Sequence, residues 1–196
     1  MVTAFCALFF IASAHAQQFD VAFGVGTVSG QQASDGFNNP DHTPQSIGGG
    51  GYPAFSGDFL FKKNFGVGGQ VAWRGHQNFD IFGQPYRPIL YDFNAIYAPM
   101  LGKRVQAEGQ GGIGWESIRF YTPFLNCSGF TGTCTDFTSS NHFLIHVGGG
   151  LRFFLHGGLF VRPEGHLYFI HNNVEFSGPR VARYGVSIGY AFRSKD

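Results

Sequence analysis

Charge is the scarcest commodity in this 196-residue chain: Asp, Glu, Lys and Arg make up 13% of it, against about 25% in an ordinary soluble domain. With a net charge of +1 and no basic run, it lacks the electrostatic footprint of a nucleic-acid binder. After the first sixteen residues no segment holds 18 uninterrupted apolar residues, which excludes membrane-spanning helices. Cysteine is nearly absent, with three in all. No C-x-x-C accompanies them, so a zinc site is not expected. What replaces charge is phenylalanine and glycine, 24 and 30 residues respectively.

Residues 1–16, "MVTAFCALFFIASAHA", form an apolar run ending in Ala14-His15-Ala16. A hydrophobic stretch followed by an A-x-A site predicts a cleaved secretory signal peptide, although no Lys or Arg precedes the run. Residues 17–196 then form one domain. Cleavage removes Cys6 and leaves Cys127 and Cys134 in "CSGFTGTC". In an exported chain such a pair points to a local disulfide, two free loop thiols being the alternative.

Eight segments alternate apolar and polar residues with period two. Phe19, Val21, Phe23 and Val25 share one face against Asp20 and Ala22. The same alternation runs through 54–61, 65–74, 89–98, 105–116, 143–153, 159–169 and 183–192. Each predicts a strand of about ten residues with one apolar and one polar face. No apolar face carries a charge. Long connections (29–51, 75–87, 117–140, 171–178) alternate with short ones (62–64, 99–104, 156–158), which fits an up-and-down meander.

Two features argue that this sheet closes in lipid. Aromatics rim both ends of the apolar faces, among them Phe19, Phe61, Phe65, Tyr97, Phe153 and Phe192 at the short-turn end. Phe55, Trp73, Tyr91, Trp115, Phe143, Phe169 and Tyr184 rim the other, as interfacial girdles do. The polar faces carry Gly, Ala, Ser and Gln with single charges of both signs, which suits an enclosed lumen where desolvated charges pair. Hydrocarbon leaves open sheet edges unsatisfied, and eight strands suffice to close a side-chain-filled interior. The expected fold is therefore all-β: an eight-stranded antiparallel up-and-down transmembrane β-barrel.

The candidate lumen network is Asp58, Arg74, Asp92, Glu108, Glu116, His146, Arg152, Arg162, Glu164, His166 and Arg183. "LFVRPEGHLYFI", residues 159–170, places Arg162, Glu164 and His166 at every second position. A catalytic triplet would need a substrate path into a plugged interior, so a shared lining of paired charges is the simpler reading. Pro163 removes a ladder donor and is expected to mark a bulge near the short turn, which leaves the inward phase of Arg162 open. "GQGGIG", residues 109–114, matches G-x-G-x-x-G, but no helical period follows, as a phosphate-binding fingerprint would require.

Strand count, loop alternation and the last strand, "RYGVSIGYAF", residues 183–192, resemble the outer membrane protein β-barrel family, the OmpA/OmpX-like eight-stranded group of Gram-negative bacteria. In that family the last strand alternates aromatics and ends in Phe, which the barrel assembly machinery reads; here "RSKD" follows Phe192. The resemblance implies a non-enzymatic integral outer membrane protein without cofactors, surrounded by lipid and lipopolysaccharide. Its long loops would serve envelope integrity, adhesion or ligand recognition. Two alternatives are a narrow pore and a lipid A-modifying enzyme using His171 with Ser177 nearby. The His-x-Ser-Asn type motif of such deacylases is absent, since Asn172 and Asn173 follow His171.

Overall fold

A computed structural model describes residues 18–30, 47–62, 64–79, 83–127, 134–171 and 178–193. The expected signal peptide (1–16), Ser177 and most of the "RSKD" tail lie outside them. The strands are β1 (Gln18–Gly30), β2 (Tyr52–Lys62), β3 (Phe65–Trp73), β4 (Asn78–Phe79), β5 (Pro85–Tyr97), β6 (Val105–Cys127), β7 (Cys134–His156), β8 (Leu159–Ile170) and β9 (Arg180–Arg193). All pairings are antiparallel, and β4 is a two-residue annex on β5. β1 pairs with β9 over thirteen residues and β3 pairs with β5, so the other eight strands close into a ring. An even strand number is what lets an antiparallel meander close on itself without a parallel seam.

The period-two phase holds around the ring. Phe23, Val67, Phe93, Ile113, Val147 and Ile188 are all more than half exposed on the outer wall. Asp20, Asp58, Asp92, Glu108, Arg152 and Arg183 are buried on the inner face. Aromatic pairs mark both rims: Phe19–Phe59 and Phe65–Tyr97 at one end, Tyr91–Trp115 and Trp115–Phe143 at the other.

Three sequence expectations need correction. Residues 117–140 are not a long loop. β6 and β7 continue as a hairpin in which Tyr121 pairs with Phe137 and Cys127 with Cys134. Its Thr, Ser and Asn residues read as loop, yet Thr and aromatics pair well across strands.

Pro163 marks no bulge. Between the pairs Gly150↔Glu164 and Phe153↔Val161 each strand advances three residues, so register survives the gap left by the missing N–H. Pro163 faces outward opposite Val186 of β9, and Arg162 points inward. The irregularity lies instead at Phe154/His156, beside the tight turn.

The inner face, finally, is not polar throughout. Leu60, Ile96 and Ala98 form one buried apolar cluster at the short-turn end, and Ala22, Phe154, Phe160 and Ala191 another. A larger cluster including Val28, Tyr52, Leu90, Ile118, Leu144 and Tyr168 fills the long-loop end. The charged belt lies between these layers.

Candidate functional site

Two regions stand out: the belt of ionisable groups inside the ring and the hairpin that rises above it.

Arg152, on β7, is fully buried and projects across the lumen. It donates to Asp20 of β1 and Glu108 of β6, and to Asp58 Oδ2 of β2 at 2.8 Å. Its guanidinium carbon lies 5.2 Å from the centroid of Phe160, which belongs to the apolar layer below. Arg162, on β8, donates from Nη1 to Glu108 Oε1 at 2.8 Å and from Nη2 to Ser56 Oγ at 2.9 Å. Its Nε lies 2.8 Å from Glu164 Oε2. Arg183 Nη2 donates to Glu164 Oε1 at 2.9 Å, and Ser187 Oγ donates to Glu164 Oε2 at 3.2 Å. Asp20, Asp58, Glu108 and Glu164 thus each meet at least one guanidinium, as charges removed from water should.

The belt continues through imidazoles. His166 Nε2 lies 3.6 Å from Glu164 Oε1, and His166 Nδ1 lies 2.9 Å from His146 Nε2. His146 Nδ1 lies 2.8 Å from Asn94 Oδ1, and Asn94 Nδ2 donates to Asp92. Because the Asn94 amide donates to Asp92, its oxygen accepts from His146 Nδ1–H. His146 Nε2 is then the acceptor for His166 Nδ1–H. Tyr168 stacks on His146 with ring centroids 4.8 Å apart.

Glycine makes this crowding possible. A Cβ on Gly148 would stand 2.6 Å from His166 Nδ1 and 2.8 Å from His146 Nε2. One on Gly112, within "GQGGIG", would stand 2.5 Å from Asn94 Oδ1. The fingerprint match is therefore strand glycine: Gly112 and Gly114 give room to lumen side chains, and Gly109 and Gly111 lie on the outer phase.

Two of the expected lumen residues lie apart from the belt. Arg74 follows the end of β3, half-buried, with its guanidinium against Gly50. Glu116 is fully buried at the long-loop end, and both it and Arg74 lie close enough to Tyr52 for electrostatic interaction. Sequence reading left Gln18, Asn94, Ser56 and Ser187 out of the network. Their inward phase beside the charges was the available signal.

The centre of the belt is tightly filled. The void between Ser56, Gln70, Arg162, Glu164 and Ser187 has no room for a water molecule. Among the described residues no group of three or more His, Cys, Asp or Glu could hold a metal ion.

The hairpin is built differently. β5 stops pairing with β6 at Phe120 and β8 stops pairing with β7 at Leu144, so among the described residues the upper parts of β6 and β7 pair only with each other. Cys127 and Cys134 close its top as a disulfide. Phe124 is 79% and Leu125 68% exposed.

Comparison with known proteins agrees with this geometry. Three solved barrels share the fold. Ail, the attachment invasion locus protein of Yersinia pestis, in complex with the heparin analogue sucrose octasulfate, is 15% identical (TM-score 0.57; 89% of this chain, 98% of that one). Neisserial surface protein A is 10% identical (TM-score 0.61; 90% and 98%). OprG of Pseudomonas aeruginosa is 16% identical (TM-score 0.58; 92% and 98%). No curated protein matches the chain by sequence. Residues 2–192 match the family described as the outer membrane protein beta-barrel domain. The chain belongs to that family, and its place is the bacterial outer membrane.

Proposed function

We propose that this protein is a non-enzymatic outer membrane anchor that presents the β6–β7 hairpin to an extracellular ligand. The carrying observation is the hairpin itself, which outruns both neighbouring strands, ends in a disulfide and exposes Phe124 and Leu125. Large apolar side chains left in water at the tip of a rigid scaffold are what recognition uses. The packed lumen supports the anchor role, since charges locked among themselves and sealed by apolar layers stiffen the base. Sixteen residues of signal peptide, removed on export, and delivery by the barrel assembly machinery complete this reading.

The test compares cells displaying the wild type with cells displaying the Phe124→Ser/Leu125→Ser variant on extracellular matrix and epithelial surfaces. Attachment should fall severalfold at equal surface abundance. Equal attachment by both would contradict the reading.

A second reading has one observation in its favour. His171 sits on the outer wall beside an apolar pocket of about 310 Å³ lined by Phe143, Ile145, Phe169, Pro179 and Arg180. An imidazole beside an acyl-sized groove suits a lipid A deacylase. Its candidate nucleophile, Ser177, lies outside the described residues. Lipid A processing by the reconstituted wild type, lost in His171→Ala, would favour it, and unaltered lipid A would remove it.

A further inference from the structure

Arg87 of β5 and Arg119 of β6 are direct cross-strand partners. Like charges placed directly opposite one another destabilise a sheet unless something lies between them. The nearest acidic residues of these strands, Asp92 and Glu116, are buried on the lumen side. Among the described residues no ion pair joins either arginine to Asp136 of β7, the exposed neighbour of Phe137. Arg87 and Arg119 share the outer phase with Tyr91 and Trp115. Both are half-buried, and the Nε of each is buried without a hydrogen-bond partner.

Their surroundings fix where the guanidiniums point. Arg87 lies over the Tyr121 ring at 5.9 Å and Arg119 over the Phe137 ring at 4.7 Å. Tyr121 and Phe137 form the outward aromatic row above the arginines, with centroids 6.2 Å apart. The stems therefore run upward, away from the girdle of Tyr91, Trp115 and Phe143, as snorkelling side chains do. Each arginine stands four residues beyond its girdle residue, a rise of about 10 Å for strands tilted as in membrane barrels. That height is the polar layer of a leaflet whose headgroups are phosphorylated sugars. Ring stacking occupies the flat face of a guanidinium and leaves its in-plane N–H fork free, the edge that meets phosphate oxygens.

We infer that Arg87 and Arg119 form a clamp on the outer wall for a phosphate group of the surrounding lipopolysaccharide. The lipid's acyl chains lie along the apolar wall below while its phosphate bridges the two arginines and cancels their repulsion. The lumen charges take no part. The clamp requires only that the wall face lipid, so it stands independently of what the hairpin tip binds.

Native mass spectrometry of the refolded full chain in a zwitterionic detergent tests it, with bis-phosphorylated lipid A, dephosphorylated lipid A and inorganic phosphate as probes. Phosphorylated lipid A should bind the wild type. The Arg87→Gln/Arg119→Gln variant should weaken that binding about tenfold or more, since it removes charge-assisted bonds from both sides. Arg87→Lys, which keeps the charge and loses the fork, should fall between them. Heat-modifiable migration verifies that each variant is folded, and the three probes on the wild type need no variant at all. Equal binding of dephosphorylated lipid A, or of phosphorylated lipid A by the double variant, would overturn the clamp. Inorganic phosphate binding as tightly as lipid A would overturn the lipid as its occupant.

Discussion

Arg162 and Glu108 stand 54 residues apart in the chain, and the guanidinium of one donates to the carboxylate of the other at 2.8 Å in the middle of the barrel. β8 and β6 are not neighbours in the ring, since β7 lies between them. The bond therefore crosses the lumen and ties together strands that no ladder joins. Removing Arg162 leaves Arg152 on Glu108 and Arg183 on Glu164 but takes one positive charge out of a buried belt. Arg162→Ala should cost about 3–5 kcal/mol, because Glu108 and Glu164 both lose a guanidinium contact. Urea titration in detergent, read by heat-modifiable migration, measures it. A loss below about 1 kcal/mol would show that the lumen network contributes little.

Gly148 tests the glycine argument separately. Gly148→Ala places a methyl 2.6 Å from His166 Nδ1 and 2.8 Å from His146 Nε2. Overpacking of this kind should cost about 1–3 kcal/mol. His166→Ala in the same chain should recover part of the loss by vacating the space, and the double-mutant cycle in the same urea assay reads the coupling. Additive effects would mean that the imidazole pair does not determine the glycine.

The strand phase was legible because a barrel wall imposes strict alternation, and charges such as Asp58, Arg152 and Arg183 cannot sit on the outer side. Less visible were the inner apolar layers. Leu90 lies between Ile89 and Tyr91, and Leu144 between Phe143 and Ile145. Where both faces are apolar the period disappears, and sequence cannot tell a plug from a wall. Arg162 was uncertain for another reason: proline forbids a hydrogen bond but does not by itself shift register. The hairpin escaped because its polar residues are equally at home in a loop. With it went Arg87 and Arg119, which become an outward pair only once β5 and β6 are seen to run past the girdle.

The disulfide carries a local consequence. Cys127→Ser/Cys134→Ser should leave the urea midpoint of the barrel unchanged, because the bridge closes only the tip of the hairpin. Opening of the tip should become easier, by about 2–3 kcal/mol in the chain-entropy view of a short loop. Limited proteolysis under reducing and non-reducing conditions separates the two effects. Faster cleavage confined to the hairpin is the expected result, and collapse of the whole barrel would contradict it.

The apolar layers bear on transport. Phe154 and Phe160 pack at 5.8 Å between ring centroids below the charged belt, and Leu90, Ile118 and Leu144 close it from above. Such a lumen should show no steady conductance in planar bilayers. Clear, stable single-channel steps from the wild type would contradict a filled interior.

Beneath all of this lies the claim that lipid bathes the aromatic-rimmed wall while the charges face inward. The chain has two tryptophans, and Trp73 and Trp115 both lie on the outer face at the long-loop rim. Refolding the protein into bilayers whose acyl chains carry bromine measures their surroundings directly. Strong quenching is expected, greatest with bromine near the glycerol end of the chain, where a girdle sits. Tryptophan emission untouched by bromine at any depth would contradict the claim.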